Sequence, residues 1–190
     1  MPPKTRVTES MIVDAAIEVV RQSGFEKINA RSVSEQLRCS TQPVMYHFST
    51  IDNLKRAAYR YADQLHTKYL LNTQPGQEPI LGIGLNYIRF AVEEPQLFRF
   101  LFQSGYAEEK SLLEMVDSQE LLPILAAMRE GAELSLEQTK GVFITVALFA
   151  HGYASIIANN HLEFDEKQVA KHLEHAWNGA VLAAKQEEIS

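Results

Sequence analysis

The chain has 190 residues, a formal net charge of −6 and one cysteine. A charged fraction of 22% and an apolar fraction of 46% are ordinary for a soluble globular protein, and the length suits one domain or two small ones. The single cysteine excludes an internal disulfide framework and suits a reducing cytoplasm. No apolar run follows the charges near the N-terminus, so we expect no secretory signal.

The net charge is distributed unevenly along the chain. Residues 1–60 carry a net charge of +3, whereas residues 61–190 carry −9. This asymmetry favours an N-terminal module that faces nucleic acid, joined to a module that does not.

Three helices are predicted in the first fifty residues. The first begins after Thr8 and ends at Gly24, because apolar residues recur at helical spacing between a good N-cap residue and a residue suited to a left-handed C-terminus. Asn29 can cap a second helix over residues 30–37, and Ser40 a third over residues 41–47. About three residues separate the last two helices, which is typical of a DNA-reading helix-turn-helix.

The residues of this motif resemble the TetR family of repressors. The similarity covers about residues 8–56 and lies in Gly24-Phe25-Glu26, Arg31-Ser32-Val33, Cys39-Ser40, Tyr46-His47-Phe48 and Asp52-Asn53-Leu54. It implies an all-α homodimer with a three-helix helix-turn-helix domain at residues 1–50 and a helical ligand-binding and dimerisation domain at residues 51–190. A fourth helix, at about residues 51–71, would link the two domains and move when ligand binds.

The resemblance also implies a function. The chain would be a ligand-responsive DNA-binding transcriptional regulator that binds a near-palindromic operator as a homodimer. A repressor released by a small molecule is the simplest version, and an activator is a variant of the same class. As partners we therefore expect a double-stranded DNA operator, a small-molecule effector of unknown identity and a second copy of the chain, all in the cytoplasm.

The third helix is expected to read DNA. Val44 and Phe48 lie four residues apart and should face the core, which leaves the remaining side chains outward. Glutamine can bond adenine bidentately and a threonine hydroxyl can serve several base edges, while aromatic and histidine side chains suit phosphate contacts. Tyr46 has an alternative role as a ring that bridges two helices. The predicted DNA-binding residues are Arg31, Thr41, Gln42, Met45, Tyr46, His47 and Lys55.

Three positions depart from the family's pattern. Arg38 stands where the family usually has glycine, and a positive φ there would cost on the order of 1 kcal/mol. Met45 stands in place of a tyrosine that reaches the DNA backbone, and Ile51 in place of a lysine near a phosphate. A second function therefore stays open, a helical dimeric small-molecule or protein-binding module with weakened DNA affinity. Ahead of the first helix, Lys4 and Arg6 are either a DNA-contacting arm or a solvated tail.

The remaining chain is predicted to be helical, with a loop over residues 72–79. The pattern of a helix, Glu-Pro and a Phe-rich helix that ends at Gly105 resembles a C-terminal domain type of many TetR-like regulators. Pro123 indicates either a kink in a helix over residues 111–131 or a split near residues 117–118. Aromatic residues at helical spacing are either core or the lining of an effector cavity. The predicted effector-binding residues are Tyr87, Phe90, Phe98, Phe102, Met128, Phe143 and His151.

Seventeen residues from Val142 to Ala158 include no Asp, Glu, Lys or Arg. A helix that is apolar on all sides is buried on all sides. We expect no membrane span, because the run is short and is interrupted by His151 and Ser155. Helices around residues 135–159 and 165–185 are instead predicted to form a four-helix dimer interface with the second subunit.

Enzyme and metal sites have little support in the sequence. It shows no Gly-rich phosphate loop, nucleophile motif or obvious carboxylate pair, so we expect no enzyme and no cofactor. His172 and His175 lie one turn apart, with His151 and His161 upstream. A structural zinc site normally needs further N or S ligands at compatible spacing, so no metal site is predicted.

Overall fold

A computed structural model of the chain describes residues 7–73, 79–107, 116, 117, 119, 121–160 and 162–187. Within these ranges the secondary structure is helical throughout and includes no strand, which confirms the predicted all-α class. The helices are α1 (Glu9–Ser23), α2 (Ala30–Gln36), α3 (Gln42–His47), α4 (Ile51–Leu71), α5 (Pro79–Glu93), α6 (Pro95–Gln103), α7 (Leu122–Ala132), α8 (Leu136–Asn160) and α9 (Glu166–Glu187), with a short 3-10 helix at Phe25–Lys27.

The capping residues of α1 and α2 are those predicted. The Thr8 hydroxyl accepts a hydrogen bond from the Met11 amide at 3.3 Å, and α1 ends at Gly24 with φ of 88°. The Asn29 side chain accepts from the amides of α2's first turn at 3.0 Å, while the Ser32 hydroxyl accepts from the Asn29 amide. This reciprocal capping box fixes where α2 begins.

The start of α3 differs from the prediction by one residue. The helix begins at Gln42, and Thr41 precedes it with helical backbone angles and no side-chain cap. The predicted Ser40 cap was therefore wrong, because the Thr41 carbonyl accepts the first helical hydrogen bond, from the Met45 amide at 3.1 Å, which makes Thr41 the capping residue. Pro43 falls in the first turn of α3, where its missing N–H removes no helical hydrogen bond.

The described chain forms two compact units. The first consists of Met1–Thr67 and Glu94–Ala107, and the second of Lys68–Glu93 and Glu108–Ser190. α6 packs with α1 in the first unit, where the Phe25 and Phe100 rings stack at 5.4 Å and Arg21 pairs with Glu94 at 2.9 Å. In this division residues 51–67 of α4 and all of α6 belong to the first unit, and the domain boundary expected at residue 50 stays a prediction.

In the second unit, α8 packs against α5, α7 and α9. α7 begins at Leu122 with Pro123 in its first turn, after turn residues at 117, 119 and 121, so Pro123 does not kink the described helix. A split near residues 117–118 stays a prediction, because residues 111–115, 118 and 120 lie outside the described part of the chain. By length and composition α8 could cross a membrane, with a mean hydropathy of 1.8. Only 33% of that apolar window is buried within the single chain, so α8 contributes one face to the core and leaves the other exposed, and the expectation of a helix buried on all sides is wrong for the single chain. The buried residues recur at helical spacing: Thr139, Val142, Val146, Ala150, Ala154, Ile157 and Ala158.

Candidate nucleic-acid interface and effector site

α3 is held against the rest of the first unit by one face only. Val44 is fully buried and Phe48, just after the helix, is 6% exposed. α1 and α2 both pack against this face. The opposite face carries Thr41, Gln42, Met45 and Tyr46, all exposed, as predicted from the spacing of the two apolar residues.

Tyr46 is the most exposed of these residues at 79% of its surface. Among the ring contacts described, the Tyr46 ring makes only one, an edge contact with its neighbour His47 at 5.4 Å between centroids. The alternative role as a ring bridging two helices is therefore wrong. Such an exposed aromatic hydroxyl at the end of a helix can reach a ligand without any rearrangement of the core.

His47 contacts the start of the chain. Its Nε2 lies 3.1 Å from the carbonyl oxygen of Val7, the residue before the Thr8 cap. Because a carbonyl only accepts, Nε2 must carry a proton. A phosphate contact by His47, which stays a prediction, would use Nδ1 or replace this bond. Lys4 and Arg6, the predicted arm, lie outside the described residues.

The predicted basic residues differ in their surroundings. Arg31 is exposed and its Nε lies 2.9 Å from Glu35 Oε1, one turn along α2, and this hydrogen bond raises the pKa of Arg31. An exposed pair of this kind exchanges readily for a phosphate, since it adds little stability. Lys55 is half-buried on α4, and Arg38 is exposed in the turn. In the sequence, Arg31 and Arg38 precede α3 and Lys55 follows it.

Arg38 has a left-handed backbone, with φ of 52°. The Cys39 amide donates to the Ser34 carbonyl at 3.0 Å and the Arg38 amide to the Glu35 carbonyl at 3.2 Å. These two bonds are the Schellman pattern that ends a helix, in which glycine is favoured at the residue with positive φ. The turn thus demands the conformation that the missing glycine would have supplied.

The seven predicted effector residues fall into two groups. Phe98 and Phe102 lie in the first unit, where their ring centroids are 4.8 Å apart. The others lie in the second unit: Tyr87, Phe90, Met128, Phe143 and His151. Phe90, Phe98 and Met128 are at most 2% exposed, so each is a core side chain where it stands.

The structure brings Tyr87 and His151 together within the second unit. The Tyr87 hydroxyl lies 2.8 Å from His151 Nδ1, and Ser155 Oγ lies 3.2 Å from His151 Nε2. Burial raises the pKa of Tyr87 and lowers the pKa of His151, so both side chains are neutral near pH 7. The phenol then donates to Nδ1, and Nε2–H donates to Ser155. The prediction omitted Ser155, although its spacing of four from His151 on α8 was a usable signal.

No group of three or more His, Cys, Asp or Glu side chains that could hold a metal occurs among the described residues. His161 lies outside them. The His172 ring is instead 3.4 Å from the Tyr153 hydroxyl, measured at Nδ1.

A helix-turn-helix whose second helix has an exposed face is a fold common among DNA-binding regulators. Residues 80–178, more than half of the chain, match the family model described as "Tetracyclin repressor-like, C-terminal domain". The chain therefore belongs to the TetR family of transcriptional regulators. Regulators of this family bind DNA and small-molecule effectors and form dimers.

Individual relatives agree with this assignment. The chain is 20% identical over 171 residues to the uncharacterized HTH-type transcriptional regulator YobS of Bacillus subtilis (strain 168). This match covers 87% of each chain. A putative transcriptional regulator from Pseudomonas aeruginosa PAO1 has a TM-score of 0.67 at 16% identity, covering 94% of this chain and 92% of the other. The multidrug binding protein EbrR, complexed with ethidium, has a TM-score of 0.54 at 19% identity, covering 93% and 99%. At these identities the solved structures establish a shared fold.

Proposed function

We propose that the protein is a ligand-responsive repressor that binds a near-palindromic operator as a homodimer in the cytoplasm and is released by a small molecule. The observation that carries this proposal is the exposed face of α3, held in place by a fully buried Val44 on the other side. Each subunit would place that face in a major groove.

Within α3 the roles follow from side-chain chemistry. Gln42 and Thr41 stand at the start of the helix, where a recognition helix contacts base edges, and would read sequence. Tyr46 would donate to a phosphate and fix the position of the helix without reading sequence. Arg31 and Lys55 would add phosphate contacts from α2 and α4.

The dimer is proposed to form through α8 and α9. On α8 the exposed residues Leu148 and Ile156 are 49% and 53% exposed, on the side opposite the buried stripe. Gly141 and Gly152 lie on the same face, and a Cβ atom added at either would meet nothing within 4 Å. Leu182 on α9 is 60% exposed. Exposed leucines beside glycines allow close packing of a second copy, as a closed two-fold interface requires.

The effector is proposed to bind the second unit next to Tyr87 and His151. This pair supplies neutral hydrogen-bonding groups at the edge of an apolar core, which is the usual make-up of a small-molecule site. The fold shared with EbrR, which was crystallised with ethidium, makes an aromatic cation a reasonable first probe. Effector binding would favour a spacing of the two recognition helices that no longer fits the operator.

The proposal is tested by selecting bound duplexes from a random DNA pool with the purified protein at two salt concentrations. We expect an inverted repeat to be enriched, with an affinity that falls about a thousandfold between 50 and 200 mM salt if about six phosphates are contacted. Leu122→Glu, an exposed change in α7, is a matched control that should select the same sequence. No enrichment at either salt would favour the second candidate, a helical dimeric binding module in which Arg38, Met45 and Ile51 have weakened DNA affinity.

A further inference from the structure

A buried side chain of α5 completes the end of α4. Asn86 is 4% exposed. Its Nδ2 lies 3.4 Å from the carbonyl oxygen of Tyr69 and 3.2 Å from those of Leu70 and Asn72. Carbonyls at the end of a helix are incompletely paired by the helix itself. The amide of Asn86 therefore serves as a C-terminal cap supplied by another helix.

The other side of the same amide faces a cation. Asn86 Oδ1 accepts from Arg89 Nη1 at 2.8 Å, and Arg89 Nη2 lies 2.8 Å from Glu166 Oε2. Carbonyls only accept and a guanidinium only donates, so the orientation of the Asn86 amide is fixed. Glu166 is the first residue of α9, where a carboxylate is favourable. A continuous series of hydrogen bonds thus joins the start of α9 to the end of α4.

The end of α4 is a significant place for such a series. Residues 51–67 of this helix belong to the first compact unit and residues 68–71 to the second. Tyr69 provides another attachment, because its hydroxyl donates to Glu93 Oε2 at 2.7 Å and its ring lies 5.4 Å from the ring of Phe90. Residues of α5 therefore determine where the last turn of α4 lies within the second unit.

We propose that Asn86, Arg89 and Glu166 are positioning residues that transmit a rearrangement of the second unit to the last turn of α4. The inference rests on the proposed function, because transmission matters only if the second unit binds an effector and the first binds DNA. A shift of the start of α9 moves the carboxylate of Glu166, which releases Arg89 from the amide of Asn86. The cap on α4 then loses the partner that fixes its orientation.

The test uses DNA, since coupling between two binding sites is reciprocal. If effector binding changes operator affinity, operator binding must change the second unit. Amide hydrogen exchange of residues 79–93 is measured in the full chain with and without the duplex selected above. Glu166→Gln removes the ion pair and keeps the side chain's shape, and Asn86→Asp turns a carboxylate oxygen toward the carbonyls. Glu130→Gln, the same change at an exposed position on α7, is the matched control.

In the wild-type protein, we expect the duplex to change exchange in residues 79–93. Glu166→Gln and Asn86→Asp should each reduce that change by about half or more, while the Kd for the duplex stays within roughly threefold, because the DNA-facing atoms are unaltered. The control should respond as the wild type does. If Asn86→Asp fails to fold, Glu166→Gln decides, since its side chain is 51% exposed.

Two results would overturn the inference while leaving the proposed function intact. One is that Glu166→Gln and Asn86→Asp both show the same change of amide exchange on duplex binding as the wild-type protein. The other is duplex binding by the wild-type protein with no change of exchange in α5. Absence of any bound duplex is a different result, because it rejects the proposed function and this inference with it.

Discussion

Arg38→Gly should stabilise the helix-turn-helix. Arg38 has φ of 52° and occupies the position of a Schellman motif that glycine favours. A left-handed conformation costs a residue with a Cβ atom about 1–2 kcal/mol, whereas glycine adopts it freely. Glycine also gives the unfolded chain more freedom, which offsets about 0.5–1 kcal/mol. The net gain is therefore about 0.5–1 kcal/mol.

Thermal unfolding with matched variants measures this gain. For a chain of this length, about 1 kcal/mol shifts the Tm by about 2–4 °C, so Arg38→Gly should raise it by about 1–4 °C. Arg38→Ala removes the same charge and keeps the Cβ atom, so it should leave the Tm close to that of the wild type. Glu133→Gly offers a second test, because Glu133 ends α7 with φ of 55°. A Tm for Arg38→Gly at or below that of Arg38→Ala would show that the positive φ at position 38 costs no stability.

Four further changes have definite expected outcomes. Leu148→Glu should weaken the dimer by about a hundredfold or more, because each of two symmetric leucines contributes about 1.5 kcal/mol. Leu122→Glu should leave the dimer affinity unchanged. Sedimentation of both variants in an analytical ultracentrifuge, at a series of concentrations, measures this difference. Burial lowers the pKa of His66 from 6.5 to about 4, so the ring stays neutral in the folded protein while it becomes protonated in the unfolded chain below pH 6.5. The free energy of unfolding should therefore fall by about 3 kcal/mol as the pH drops from 6.5 toward 4. Urea unfolding of His66→Gln should show a weaker dependence of this free energy on pH. Gln42→Ala should relax base preference at one operator position, and Tyr46→Phe should weaken all duplexes alike, as binding to a panel of single-base operator variants would show. A sequence-dependent loss in Tyr46→Phe would contradict its assignment.

Much of the fold could be predicted from local sequence. The caps at Thr8 and Asn29 and the glycine at position 24 set the ends of α1 and the start of α2 through contacts within a few residues. Such signals are readable because both partners are close in the chain. The start of α3 was missed by one residue, because Thr41 supplies its first carbonyl although Ser40 is the better capping residue by type.

The candidate sites were less accessible to sequence reasoning. The outward face of α3 follows from the spacing of Val44 and Phe48, so the exposed residues could be named. The grouping of α6 with the first unit depends on contacts such as Phe25 with Phe100, which are 75 positions apart in the numbering and leave no local trace. For the same reason the partners of Asn86 could not be foreseen.

In the proposed function, the two α3 helices of a dimer bind one operator together. This joint binding is tested by measuring the affinity for the selected duplex and for a duplex whose half-sites are moved apart by about five base pairs, half a helical turn. Binding of the altered duplex should be weaker by about tenfold or more, because the second helix then faces the wrong side of the DNA. Equal affinity for the two duplexes would contradict it.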